Sequence, residues 1–222
     1  MSNYKAVLFD FDGTLMNSLG IWEEINRKFF KRLSIPYNKE LLDFTGLNYS
    51  QSAMYIKNKF HIDEDLQSIM HEWAQEAICA YRERDYLKPY AKELILALYE
   101  QGFRMAIGTN NTRDLVVAAL DTYNLTEYFE EILTSCEIVR TKPYPDVYLK
   151  LKEDLGVNSF ECVVFEDTIE GLRAARSAGM YTYAIKETAH GYKKEDVERY
   201  CDRYIDSFAY FKDNLTNLHE FL

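Results

Sequence analysis

The chain has 222 residues, 47% of them hydrophobic, and carries a formal net charge of -10. That length and apolar content suit one packed domain, or a core with a smaller insertion, and exclude the disordered and fibrous classes. The acidic balance argues against a nucleic-acid partner, which requires a basic face, and no apolar run is long enough to cross a membrane.

Taken in chain order, the first element is the short apolar run Ala6 to Phe9, which ends at Asp10 and reads as a strand buried on both faces. From about Ser18 to Arg84 the pattern is helical throughout. Trp22, Ile25, Phe29 and Leu33 make one face, Ala53, Ile56 and Phe60 a second, and Leu66, Ile69, Trp73, Ala77 and Tyr81 a third. Leu94, Ile95 and Leu98 lie on a helix that follows Pro89 and stops at Gly102.

A strand over Met105 to Gly108 leads to Thr109, and a helix carries Leu115, Val116, Ala119, Leu120 and Tyr123. Glu131 to Leu133 is a third strand. A helix then carries Val147, Leu151 and Leu155, with Gly156 as its C-terminal cap. Cys162 to Phe165 is a strand ending at Glu166-Asp167, and Leu172, Ala175 and Ala178 line a helix closed by Gly179. Tyr181 to Ile185 and Tyr204-Ile205 are the last strands. The alternation predicts an α/β fold with a doubly wound, mostly parallel sheet. A small helical domain over 18–84 is inserted into a core made of 1–17 and 85–222. The four cysteines form no CxxC pair and no zinc-spaced cluster. With no signal-peptide pattern at the N-terminus, the expectation is a soluble, cytoplasmic monomer with reduced thiols.

Polar residues fall where such a sheet binds ligands, beyond the carboxyl ends of its strands. Asp10 and Asp12 follow the first strand, Thr109 and Asn110 the second, and Glu166 and Asp167 the fourth, while Lys142 precedes a helix in Thr141-Lys142-Pro143-Tyr144-Pro145-Asp146. Crowded carboxylates call for a cation, and a hard oxygen cluster with room for water suits Mg²⁺. Lys142, Thr109 and Asn110 offer the charge and hydrogen bonds that a transferring phosphoryl group needs. A carboxylate can be the nucleophile, and a second one two residues on can serve as acid and base. Each piece alone has an ordinary explanation: Asp-x-Asp as a turn, Thr-Asn-Asn as a helix cap, Lys142 as a solvated lysine. The four together, in this order, are specific.

These residues resemble the haloacid dehalogenase superfamily over nearly the whole chain. The motifs are Val7-Leu8-Phe9-Asp10-Phe11-Asp12-Gly13-Thr14-Leu15, Ile107-Gly108-Thr109-Asn110, Lys142-Pro143-Tyr144-Pro145-Asp146 and Val164-Phe165-Glu166-Asp167-Thr168. The resemblance implies a Rossmann-like core with an inserted helical cap. It implies Asp10 as nucleophile and magnesium ligand, and Asp12 as general acid and base with its backbone carbonyl on the metal. Thr109 and Lys142 would hold the phosphoryl group, and Asp167 would complete the metal site, with Glu166 as a direct or water-mediated ligand. Backbone N–H groups near Phe11 and Asn110 would face the phosphate. Asp12, absent from the dehalogenases, favours phosphate chemistry.

Within the superfamily the pattern is similar to sugar-phosphate phosphatases and β-phosphoglucomutases. The mutases usually carry His twelve residues after the nucleophile, where this chain has Trp22. An indole donates a hydrogen bond but cannot shuttle a proton. The mutases also tend to carry an Arg in a cap loop that here reads Thr45-Gly46-Leu47-Asn48-Tyr49. The expected activity is therefore hydrolysis of small phosphomonoesters through an aspartyl-phosphate, with a phosphomutase as the alternative. Trp22, Gly46, Leu47 and Asn48 are candidate substrate contacts, and Trp22 is equally a candidate core aromatic of the cap. A phosphate-accepting signalling module would place its Asp after a later strand and lack the insertion. A non-catalytic relative would have lost Asp10 or Asp12.

Overall fold

The computed structural model describes residues 4–44 and 47–222. Its centre is a parallel sheet of β1 (Ala6–Phe9), β2 (Arg104–Thr109), β3 (Glu131–Thr134), β4 (Cys162–Glu166), β5 (Tyr181–Ile185) and β6 (Arg203–Ile205). The order across the sheet is β3-β2-β1-β4-β5-β6. The chain steps outward from β1 through β2 to β3, then returns to the other side of β1 for β4. That reversal opens a crevice beyond the carboxyl ends of β1 and β4. The doubly wound sheet expected from the alternation is present, and every strand read from the sequence is found to within a residue or two.

The side-chain period of two explains why β1 is apolar at every position. Val7 and Phe9 face the larger core, and Ala6 and Leu8 face the second one, against α6 (Asp146–Asp154) and α7 (Ile169–Ser177). On the first face an aromatic ladder crosses three strands: Phe9 stacks on Phe165 at 5.2 Å, and Phe165 on Tyr183 at 5.0 Å. The helices α4 (Ala91–Glu100) and α5 (Arg113–Thr122) complete that core. Two single-turn helices, α8 (Lys194–Val197) and α9 (Leu218–Phe221), lie near the C-terminus.

Between β1 and α4 the chain forms α1 (Leu19–Arg32), α2 (Tyr49–Lys59) and α3 (Leu66–Glu83). Both α1 and α2 pack on α3, which also packs on α5. Their buried faces are Ile21, Ile25 and Phe29 on α1, Ala53 and Ile56 on α2, and Ile69, Trp73, Ala77 and Tyr81 on α3. The α1 stripe is turned by one residue from the face expected at Trp22, which is only partly buried. The chain leaves and re-enters the sheet side by side. Met16 bridges Leu87 antiparallel, Asn17 N–H donates to Tyr86 O at 2.7 Å, and Lys88 N–H donates to Leu15 O at 2.9 Å.

Candidate active site

The register of β1 against β4 pairs Phe9 with Phe165, so Asp10 emerges beside Glu166, and Asp10 N–H donates to Phe165 O at 2.9 Å. Carboxylate oxygens of Asp10, Glu166 and Asp167 all lie within 4.8 Å of one another, and all three residues are buried. Lys142 joins them. Its ammonium is 2.6 Å from Asp10 Oδ1, 2.5 Å from Glu166 Oε1 and 2.9 Å from Gly108 O, which uses all three of its protons. The fold therefore brings together Asp10, Lys142 and the adjacent pair Glu166-Asp167, all expected from the sequence, from three separate segments.

The electrostatics follow from burial. Desolvation pushes the Asp10 carboxyl well up, with Glu166 and Asp167 adding to the shift and Lys142 opposing it. Asp167 is also raised by burial, against the hydrogen bond from His190. Burial would lower Lys142, but the Asp10 and Glu166 charges outweigh it and hold the ammonium protonated. Three carboxylates around one ammonium are short of positive charge, and their hard oxygen donors fit a divalent cation such as Mg²⁺.

The three carboxylates are not equally available to such an ion. Glu166 accepts from Lys142, Tyr148 Oη at 3.1 Å, the N–H groups of Asp167 and Thr168 at 3.0 Å, and Thr168 Oγ1 at 2.9 Å. Five donors occupy its two oxygens, so it is best suited to orienting Lys142 and the turn that carries Asp167. A Cβ at Gly171 would overlap the Glu166 carboxylate, and one at Gly13 the Asp167 carboxylate, so both positions need glycine. Gly13 also has φ +89°, a conformation that other residues rarely adopt. Asp167 is steered by Thr14 Oγ1, which donates to Oδ1 at 2.8 Å.

Asp12 points away from this cluster, so it can meet a cation there only through its main chain. Its Oδ1 accepts from Ser18 Oγ at 2.5 Å, Tyr81 Oη at 3.2 Å and Trp22 Nε1 at 3.3 Å, and its Oδ2 from Asn111 Nδ2 at 2.9 Å. Ser18 sits at the N-cap position of α1, yet its hydroxyl makes no capping bond; it is used on Asp12 instead. Thr109 Oγ1 accepts from Asn111 N–H at 3.0 Å, which fixes the turn after β2. The cap of α5 is Thr112, beyond the Thr109-Asn110-Asn111 run. Asn110 Oδ1 is buried without a hydrogen-bond partner.

Asp10, Asp12, Thr109, Asn110 and Lys142 open onto a cavity of about 540 Å³ roofed by the helical segment. Trp22 and Leu47 line it. Trp22 thus has two contacts, the cavity and Asp12, and an edge-on packing against Tyr49 at 5.8 Å. Asn48 also lines the cavity, but its side chain caps α2, accepting from Gln51 N–H at 2.9 Å within a capping box. Phe11 is fully buried, edge-on to Tyr81. Gly46, the remaining predicted contact, lies outside the described residues.

The structure adds His190, which the sequence does not mark, and brings Trp73, expected on a helical core face, to the cavity wall. His190 lines the cavity, and its Nε2 is 2.7 Å from Asp167 Oδ2. Its ring stacks on Tyr192, whose hydroxyl donates to Glu170 at 3.2 Å. Trp73 lines the cavity too, and its buried indole N–H has no hydrogen-bond partner among the described residues. The signal for both is long-range: nothing local to residue 190 or 73 marks it.

The chain is similar to known proteins over most of its length. The family description "Haloacid dehalogenase-like hydrolase" matches residues 7–185. The chain is 28% identical over 186 residues to the validoxylamine A 7'-phosphate phosphatase of Streptomyces hygroscopicus subsp. limoneus, covering 83% of this chain and 87% of the relative. It is 29% identical over 188 residues to the fructose-1-phosphate phosphatase YqaB of Escherichia coli, covering 80% and 94%. Among solved structures, CbbY from Rhodobacter sphaeroides in complex with phosphate superposes with a TM-score of 0.83 at 23% identity, covering 94% of this chain and 96% of that one. The last likeness shows the fold, and the family match spans most of the chain. The chain belongs to the haloacid dehalogenase-like hydrolases.

Proposed function

We propose that this hydrolase is a Mg²⁺-dependent phosphatase of small phosphomonoesters, sugar phosphates in particular, and that Asp10 is its nucleophile. The observation that carries the reading is the buried cluster of Asp10, Lys142 and Asp167 opening onto a cavity beside Asp12. The phosphatase relatives support the substrate class. Residues 18–84 act as a cap domain on a core of 1–17 and 85–222. The protein works as a cytoplasmic monomer, a setting that suits its four free thiols.

In the first half-reaction an Asp10 carboxylate oxygen attacks phosphorus, the bond from phosphorus to the leaving oxygen breaks, and Asp12 gives that oxygen a proton. In the second half-reaction Asp12 takes a proton from water, the water oxygen attacks phosphorus, and the Asp10 carboxylate is regenerated as phosphate leaves. Lys142 and Thr109 hold the phosphoryl oxygens, with backbone N–H groups near Phe11 and Asn110. Asp10, the Asp12 carbonyl and Asp167 would hold Mg²⁺, with Glu166 reaching it through water. When bound, the ion supplies positive charge against the phosphoryl oxygens.

Hydrolysis is favoured over mutase chemistry because Trp22, at the position of the mutase histidine, donates its N–H to Asp12. A panel of phosphorylated metabolites assayed for phosphate release with and without Mg²⁺ tests the reading. Release from sugar monophosphates that depends on Mg²⁺ is the expected result. Absence of release from every substrate, or interconversion of glucose 1-phosphate and glucose 6-phosphate without release, overturns it.

A further inference from the structure

The Asp12 carboxylate is held asymmetrically. Among the described residues, all three donors to Oδ1 belong to the helical segment between β1 and β2: Ser18 and Trp22 at the start of α1, and Tyr81 in the last turns of α3. The one donor to Oδ2 among the same residues, Asn111, comes from the turn after β2. Tyr81 is fully buried, and its ring is packed edge-on against Phe11 at 6.3 Å and Tyr86 at 6.0 Å. It does not line the cavity. Its hydroxyl therefore reaches a substrate only through Asp12.

We propose that Tyr81 is a positioning residue for the acid–base step: with Trp22 and Ser18 it pins Asp12 Oδ1 as a permanent hydrogen-bond acceptor, so that the exchangeable proton is carried on Oδ2. This rests on the reading of Asp12 as general acid and base. The chemistry of the donors sets the asymmetry. An indole N–H donates and cannot accept, so a proton on Oδ1 would face it head-on. The Tyr81 hydroxyl has one proton, and it is directed at Oδ1. Oδ2 has one donor among the described residues and a remaining lone pair. A proton there can pass to the leaving oxygen while Oδ1 keeps its three hydrogen bonds, and the same oxygen can later take a proton from water. No proton moves onto or off Tyr81 in either step. The carboxylate is thus aimed by the helical segment above it and by the sheet turn below it, and a general acid gains rate only when its proton is already directed at the reacting oxygen.

A double-mutant cycle between Tyr81→Phe and Asp12→Ala tests this with the full-length protein and Mg²⁺. The substrates are fructose 1-phosphate, whose alkoxide leaving group needs a proton, and p-nitrophenyl phosphate, whose leaving group does not. Tyr81→Phe keeps the ring and its packing. It is expected to lower kcat/KM for fructose 1-phosphate by roughly tenfold, mostly through kcat, and to lower that for p-nitrophenyl phosphate clearly less. In the Asp12→Ala background the same substitution is expected to change kcat/KM by less than about twofold. An equal loss on both substrates, the same factor in both backgrounds, or no loss in the parent would each overturn the proposal. Trp22→Phe in the same cycle provides a second test from a different helix, should Tyr81→Phe fail to fold. A parent protein that releases no phosphate, or an Asp12→Ala variant at the parent rate, would instead remove the underlying reading of Asp12.

Discussion

The ammonium of Lys142 lies 2.6 Å from Asp10 Oδ1, with both groups buried and 132 residues apart in the chain. The same ammonium holds Glu166 at 2.5 Å, so one cation organises carboxylates from two adjacent strands. Removing it leaves both charges in a low-dielectric site. Lys142→Met is expected to lose about 3–5 kcal/mol of stability, the scale of a broken buried ion pair, as read by urea unfolding. Added Mg²⁺ should restore part of that loss by binding the folded form. A variant as stable as the parent would show that the ammonium is not needed to hold the cluster.

Asp10→Asn keeps the shape of the side chain and removes its nucleophilic charge. Turnover should fall by about 10⁴-fold or more, in keeping with loss of a nucleophile, while circular dichroism stays that of the parent. Activity within a few-fold of the parent would refute the assignment.

Asp12→Ala leaves the Asp10 cluster intact. It should slow turnover of a sugar phosphate by roughly 10²–10⁴-fold, the usual weight of general acid–base catalysis. A near-normal steady-state rate of phosphate release would count against its role.

Trp73→Phe tests the cavity. The indole N–H is buried without a hydrogen-bond partner among the described residues, so its removal costs the free protein no hydrogen bond, and the thermal midpoint should fall only by the packing lost against Phe29 and Tyr49. If a substrate hydroxyl accepts from that N–H, KM for fructose 1-phosphate rises by about 2–10-fold, the range of one neutral hydrogen bond. An unchanged KM for every sugar phosphate tested would limit Trp73 to packing.

His190 gives a pH signature. Burial would lower its pKa, but the Asp167 hydrogen bond and charge outweigh burial and raise it. A raised folded-state pKa adds stability that is complete below the ordinary histidine value of about 6.5 and is lost as pH rises through the raised value. Without added Mg²⁺, the thermal midpoint of the parent should therefore decline over that window relative to His190→Gln. Parallel profiles for the two proteins would exclude the linkage.

The strands, the core helices and the acidic cluster were legible because their signals are local. β1 is apolar at four consecutive positions, and each carboxylate of the cluster sits at a strand end. What a residue touches across the fold was not legible. Trp22 read equally as a core aromatic or a substrate contact, and the decisive fact is its hydrogen bond to Asp12. Tyr81 read as one apolar position on a helical face, because a phenol fits that pattern, and its hydroxyl reaches Asp12 across 69 residues. Asn48 read as a substrate contact from its place in a Gly-containing loop, yet its side chain is engaged in capping α2. His190 carried no neighbouring motif, and only the proximity of β5 to β4 brings its loop to Asp167.

The bridge between Met16 and Leu87 has a consequence for how such a protein can change. Both ends of the helical excursion are tied at one place by main-chain hydrogen bonds that involve no particular side chain. Lengthening the excursion adds little closure entropy, since that term grows only logarithmically with loop length. The segment between the two crossings is free to drift or be exchanged wholesale, with the sheet and its reacting carboxylates left in register. Its three fixed points would be the two hydroxyls and the indole that must still meet Asp12. A graft of a foreign helical segment would keep the chemistry only if it delivered those donors to the same oxygen.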